Sequence, residues 1–152
     1  MTGRWRALAL IFVTRTSMGV QFQSIAAVGP LVVAALGLSW AQLGTLVGVY
    51  MLPGTLFALL GGVIGQRVGE RRAVVAGLAF MLLGGVVTAL AGGFATATAG
   101  RVLGGVGAIV MNILVAKMVA DWFAGREMAT AMALMLSSWP VGLGLATLTM
   151  GP

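Results

Sequence analysis

The chain has no cysteine and no histidine among its 152 residues. The first absence excludes a disulfide framework and thiolate chemistry. The second removes the commonest metal ligand and the side chain best suited to moving protons near neutral pH. Acids are almost as scarce: Glu70, Asp121 and Glu127 are the only three. The sequence contains no nucleophile–base pair, no metal-ligating cluster and no phosphate-cradling loop, so it implies no enzyme activity, no cofactor and no metal. Charged residues of both signs make up 8% of the chain, where an ordinary soluble domain has about a quarter.

What remains is apolar. The chain is 60% hydrophobic with 24 glycines, and its mean hydropathy is +1.08. No charge occurs from Thr16 to Gln66, and none from Ala73 to Gly100. Runs of this length read as membrane spans, because about 20 apolar residues cross the hydrocarbon core. A soluble fold would have almost nothing polar left to cover its surface. The net charge of +6 does not imply nucleic-acid binding, because the basic residues sit mostly at the ends of apolar runs, as the positive-inside rule places them.

The expected fold is therefore an all-α membrane protein, a polytopic helical bundle with about five spans at residues 7–28, 41–64, 73–92, 96–119 and 128–148. Gly37-Leu38-Ser39 signals a turn, and Ser39-Trp40-Ala41-Gln42 has the spacing of a capping box that opens the second span. Gly92-Gly93 and Ala124-Gly125 punctuate later helix ends. Arg4 and Arg6 precede the first span, Arg67, Arg71 and Arg72 fill the second connection, and Arg126, with Lys117 near the start, marks the fourth. The other connections are neutral. This alternation puts the N-terminus and the second and fourth connections in the cytoplasm. The apolar stretch after Arg6 is read as a retained first helix, not a cleaved signal, because it continues past Arg15 and further spans follow. An odd number of spans, ending at Gly151-Pro152 directly after an apolar run, reads as an incomplete chain.

Four polar side chains inside the spans are candidate solute ligands: Arg15, Gln21, Arg101 and Asn112. Arg15 lies within roughly 6 Å of the middle of the first span at about 1.5 Å per residue. An arginine there is costly, so it faces a cavity or a partner, or it snorkels to the headgroups from a tilted helix. Its planar fork suits carboxylate, nitrate-like or phosphate oxygens. Thr14, Ser17, Gln21 and Ser24 form a polar stripe on the same helix, which either lines a pathway or bonds a neighbouring helix. Arg101, Gly105, Ala108 and Asn112 project on one face of the fourth span. That face lines the pathway, unless Arg101 sits in the outer interface and Asn112 bonds another helix. All three acids fall in connections, so the buried charges are basic and favour an anionic or neutral solute. Gly44 with Gly48, and Gly100 with Gly104, have the spacing for close helix packing. Pro53 and Pro140 lie inside spans and should kink or loosen them.

The turn from Gly62 to Arg72 carries a resemblance. Gly62, Arg67, Gly69, Arg71 and Arg72 match the G-x-x-x-D-R-x-G-R-R signature between the second and third helices of the major facilitator superfamily; Gln66 stands where the family usually has aspartate, and Glu70 replaces a basic residue. Leu36-Gly37-Leu38-Ser39 with Gln42-Leu43-Gly44 is similar to the family's second-helix opening. Arg101-Val102-Leu103-Gly104-Gly105-Val106-Gly107 resembles its R-x-x-x-G-x-G pattern, and Asp121-Trp122-Phe123 with Arg126-Glu127 resembles the approach to the fifth helix. Val28-Gly29-Pro30-Leu31 and the first-helix arginine look most like the cyanate and nitrate transporter-like branch.

The resemblance implies two six-helix halves around a central site, of which this chain would be the N-terminal half less its sixth helix, with a C-terminal half missing. It further implies a secondary active transporter in the cell inner membrane that moves a small solute, an anion being favoured, by alternating access. A coupling ion is a further partner that the resemblance leaves open. Gly62, Gly65, Gln66, Arg67, Gly69, Arg71 and Arg72 would form a gating loop, its usual carboxylate latch altered at Gln66. A different reading stays open: a non-transporting membrane subunit that packs against a partner through its glycine-rich faces.

Overall fold

The computed structural model describes residues 2–55, 57, 69–125 and 127–151, and among these every regular element is a helix. Helix α1 spans Thr2–Ala27. After Val28 the chain turns by 57° into α2, Gly29–Leu36, with Pro30 in its first turn, where the missing N–H of proline costs nothing. Gly37 ends α2 at a left-handed φ of 61°. Ser39 then caps α3, Trp40–Val49, by the expected capping box: Ser39 Oγ accepts from the Gln42 N–H and the Ser39 N–H donates to Gln42 Oε1.

Helix α3 is short because it breaks at Tyr50 and Met51, which form a turn before residues 52–55 resume a helix. Pro53 supplies no N–H for the carbonyl four residues back, and the Tyr50 N–H turns to Gly48 O. Beyond residue 55 the expected 41–64 span, residue 57 excepted, lies outside the described residues, as do Gly62, Gly65, Gln66 and Arg67.

Helix α4 is Glu70–Ala89, following Gly69 at φ 88°. Helix α5 is Phe94–Trp122 and α6 is Met128–Met150, with Pro140 inside it. These last three are each long and apolar enough to cross a membrane, and α1 with α2 qualifies as one bent span. The chain is thus an all-α, multi-pass membrane protein. Several helix limits differ from the expected spans: α1 begins five residues before residue 7, and α4 starts and stops three residues early. Apolar runs locate the hydrocarbon, whereas helices continue through the polar interface until a backbone feature such as Gly69 stops them.

Two helix pairs form the body: α4 lies along α5, and α1 along α6. Glycines set both approaches. A Cβ at Gly84 would collide with the backbone of Gly100 and Gly104, and one at Gly107 with the backbone of Gly77 and Met81. Gly142 would likewise strike α1 at Thr16 and Gly19. The close packing expected of Gly100 and Gly104 is present. Gly44 and Gly48 do not share it: nothing among the described residues lies within 4 Å of a Cβ at either. Spacing alone marks a small-residue face but not whether a second helix meets it. Leu82, Leu83, Leu134, Leu136, Leu145 and Leu148 are exposed, as suits side chains facing lipid.

Candidate functional site

The break in α3 places Tyr50, the chain's one tyrosine, at the centre of the bundle, 2% exposed. A tyrosine so buried must satisfy its hydroxyl; Tyr50 Oη donates to Gln21 Oε1 at 3.0 Å. Gln21, on α1, uses its amide N–H to reach Met81 O on α4 at 2.6 Å. Gly104 and Gly105 leave room for Tyr50 on the α5 side, where a Cβ at Gly104 would lie 3.3 Å from its ring.

Arg101, on α5, sits against the same tyrosine with its guanidinium 4.4 Å from the ring centroid. It is 2% exposed, and three of its five N–H groups are engaged. Nε donates to Leu46 O at 3.1 Å, Nη1 to Gln21 O at 2.8 Å, and Nη2 to Phe22 O at 2.9 Å. The helix break makes the first bond favourable, since the Tyr50 N–H that would ordinarily return to Leu46 O points elsewhere. One arginine therefore ties α1, α3 and α5 together.

Tyr50 separates two chambers. The larger, about 460 Å³, has Gln21 and Arg101 as its polar floor and Val28, Leu31 and Thr88 among its walls. The smaller, about 220 Å³, is lined by Arg15, Met18, Ile109, Asn112 and Trp139, and Tyr50 walls it too. Arg101 and Asn112 share a face of α5 but serve different chambers. Asn112 is instead brought to Arg15, whose Nη1 donates to Asn112 Oδ1. Arg15 is 7% exposed, and its Nε has no hydrogen-bond partner among the described residues.

The polar stripe on α1 mostly turns inward on its own helix. Thr14, Ser17 and Ser24 donate to Leu10 O, Thr14 O and Gln21 O, and among the described residues only Gln21 of the four reaches another helix. At the end of the bundle where α4 begins, Lys117 bridges Glu70 at 2.5 Å and Asp121 at 2.7 Å, while Arg4 pairs with Glu127 at 2.5 Å. All three acids are thereby engaged, and neither Arg15 nor Arg101 has a carboxylate partner. Of the loop residues singled out in the sequence, Gly69, Arg71 and Arg72 are described, exposed at the start of α4.

Sequence reasoning overlooked Tyr50 and Trp139. The signal for Tyr50 was its isolation: a lone phenol inside an apolar run, three residues before a proline. Trp139 reads from sequence only as another bulky apolar residue.

A sequence model of the Major Facilitator Superfamily matches residues 8–151. Over 116 residues, 76% of this chain and 25% of the relative, the sequence is 29% identical to the inner membrane transport protein YajR of Escherichia coli (strain K12). Over 119 residues, 78% of this chain and 28% of the relative, it is 33% identical to the hexuronate transporter of Bacillus subtilis (strain 168). The matched stretch is about a quarter of the length of these curated relatives. With the match running from the first span to the end of α6, the chain belongs to the Major Facilitator Superfamily.

Proposed function

We propose that this chain forms part of a secondary active transporter that moves a small anionic solute by alternating access. One observation carries the proposal: Arg15 is buried beside a chamber of about 220 Å³, and among the described residues Asn112 is its one hydrogen-bonding partner and its Nε has none. A guanidinium inside a membrane protein is expensive unless its charge is answered, and every carboxylate of this chain is engaged elsewhere. An anion entering the chamber would supply the missing charge through the planar, bidentate pairing that arginine favours. Asn112 would orient the fork and offer its own amide N–H groups.

Arg101 and Gln21 would floor the second chamber, with the two N–H groups that Arg101 keeps free available to solute on its way through. A relative named for a hexuronate, an anionic sugar acid, is consistent with this chemistry. The orientation that we favour puts the N-terminus and the arginines at 67, 71 and 72 in the cytoplasm of a cell whose inner membrane holds the protein. There the Gly62–Arg72 turn would bias the access states, without the usual carboxylate at Gln66. A coupling ion, if the transport uses one, would find no acid in the buried part of this chain.

Uptake of hexuronate, nitrate and cyanate into vesicles holding the full-length protein tests the proposal. Breaking a buried charged contact costs about 2–5 kcal/mol, so Arg15→Gln should lower anion uptake at least thirtyfold, by roughly 1.4 kcal/mol per decade. Undiminished anion uptake by both Arg15→Gln and Arg101→Gln would overturn the assigned roles. A full-length protein that moves no solute but co-purifies with another membrane protein would favour the subunit reading.

A further inference from the structure

On the face of α4 turned away from the bundle, Arg71, Arg72, Val75, Ala76 and Ala79 line a groove of about 420 Å³. The spacing builds it. Ala73, Gly77, Met81 and Gly84 are the buried residues of α4, and at about 100° per residue the groove residues fall on the opposite side. Arg71 and Val75 are one helical neighbour pair and Arg72 and Ala76 another. The two small alanines lower the surface between the taller Val75, 60% exposed, and Leu83, 55% exposed. The eight helical rises from Arg71 to Ala79 give a furrow about 12 Å long. It is basic at the end where α4 begins and apolar along its length.

The charge at that end is unanswered. Glu70, the nearest acid, is drawn to Lys117, Asp121 to the same lysine, and Glu127 to Arg4. Among the described residues neither Arg71 nor Arg72 has an ion-pair partner. Two guanidinium groups at the start of a membrane-crossing helix, continued by an apolar furrow along it, match one molecule in shape and charge. That molecule is a phospholipid with an anionic headgroup.

We propose that this groove binds a single anionic phospholipid, its phosphodiester held by Arg71 and Arg72 and one acyl chain lying over Ala76 and Ala79. Arginine forks grip phosphate oxygens bidentately, and a basic residue near a membrane surface contributes about 1 kcal/mol of attraction to anionic lipid. The site is separate from both chambers at Tyr50, so it does not depend on which solute the protein carries.

Native mass spectrometry of the full-length protein, titrated in detergent with dioleoyl phosphatidylglycerol or with dioleoyl phosphatidylcholine, gives the test. One phosphatidylglycerol should bind in preference to phosphatidylcholine, and millimolar inorganic phosphate should not displace it. The Arg71→Gln/Arg72→Gln double variant should bind it roughly thirtyfold more weakly. Ala76→Leu/Ala79→Leu keeps both arginines but fills the furrow, and should weaken binding at least tenfold. Unchanged affinity in either double variant would overturn the proposal, as would displacement by phosphate alone. A shift in oligomeric state caused by the two leucines, with lipid binding unaltered, would instead assign the face to a second protein chain.

Discussion

Replacing Arg101 by lysine keeps the charge and removes the fork, which isolates what the planar guanidinium does. In the native protein three N–H groups reach three carbonyls on two other helices. A lysine ammonium, with its shorter overall reach and single nitrogen, can keep one of them, together with part of the attraction to the Tyr50 ring. Hydrogen bonds between membrane helices contribute about 0.6–1.7 kcal/mol each, so losing two costs about 1–3 kcal/mol. The carbonyls of Gln21 and Phe22 lie within α1 and keep their intrahelical donors. Leu46 O is different: the broken α3 gives it no return from the Tyr50 N–H, and stranding it adds about 1–3 kcal/mol. Together these set an expected destabilisation of about 2–6 kcal/mol, at least roughly thirtyfold in the unfolding equilibrium. Denaturant unfolding of the full-length protein in detergent micelles, followed by tryptophan fluorescence, measures it. Equal stability of Arg101→Lys and the native protein would refute the strut. Loss of anion uptake with stability intact would make Arg101 a solute ligand and nothing more.

Further outcomes follow from the packing and the caps. Gly84→Leu forces α4 and α5 apart, because even a Cβ there collides with the backbone of Gly100 and Gly104; overpacking of this kind costs about 1–3 kcal/mol and should lower the thermal midpoint in detergent. The same substitution at Gly44 meets open space among the described residues and should leave that midpoint almost unchanged. Ser39→Ala removes one half of the capping box on α3 and should cost about 1 kcal/mol, read in the same melt. Asn112→Asp would place a carboxylate against Arg15, answering its charge from within, and should raise the KM for anion uptake without loss of folded protein.

The membrane class, the helical architecture and a few turn and cap positions were legible in the residues, because hydrocarbon thickness and turn chemistry act locally. Ser39 with Gln42, Gly37 and Gly69 each announce themselves within a few positions. Arg15 and Asn112 were both visible as anomalies in apolar helices, but nothing in the sequence joins residues 97 positions apart. Helical periodicity grouped Asn112 with Arg101, since it reports the face of one helix and not what stands opposite. The chambers were illegible for the same reason: they exist only because the break at Tyr50 and Met51 swings a phenol between helices from other parts of the chain. Gly44 and Gly48 illustrate the converse, a packing pattern with no helix against it among the described residues.

Because Tyr50 walls both chambers, what fills one should be felt in the other. An occupant that presses on Tyr50 from the Arg15 side strains its bond to Gln21, and through Gln21 the floor of the larger chamber. Linkage then requires the effect to run equally in reverse. Two molecules bound in these chambers would therefore not be independent, and a binding isotherm with two interacting sites, not two separate ones, is the signature that this shared wall would leave.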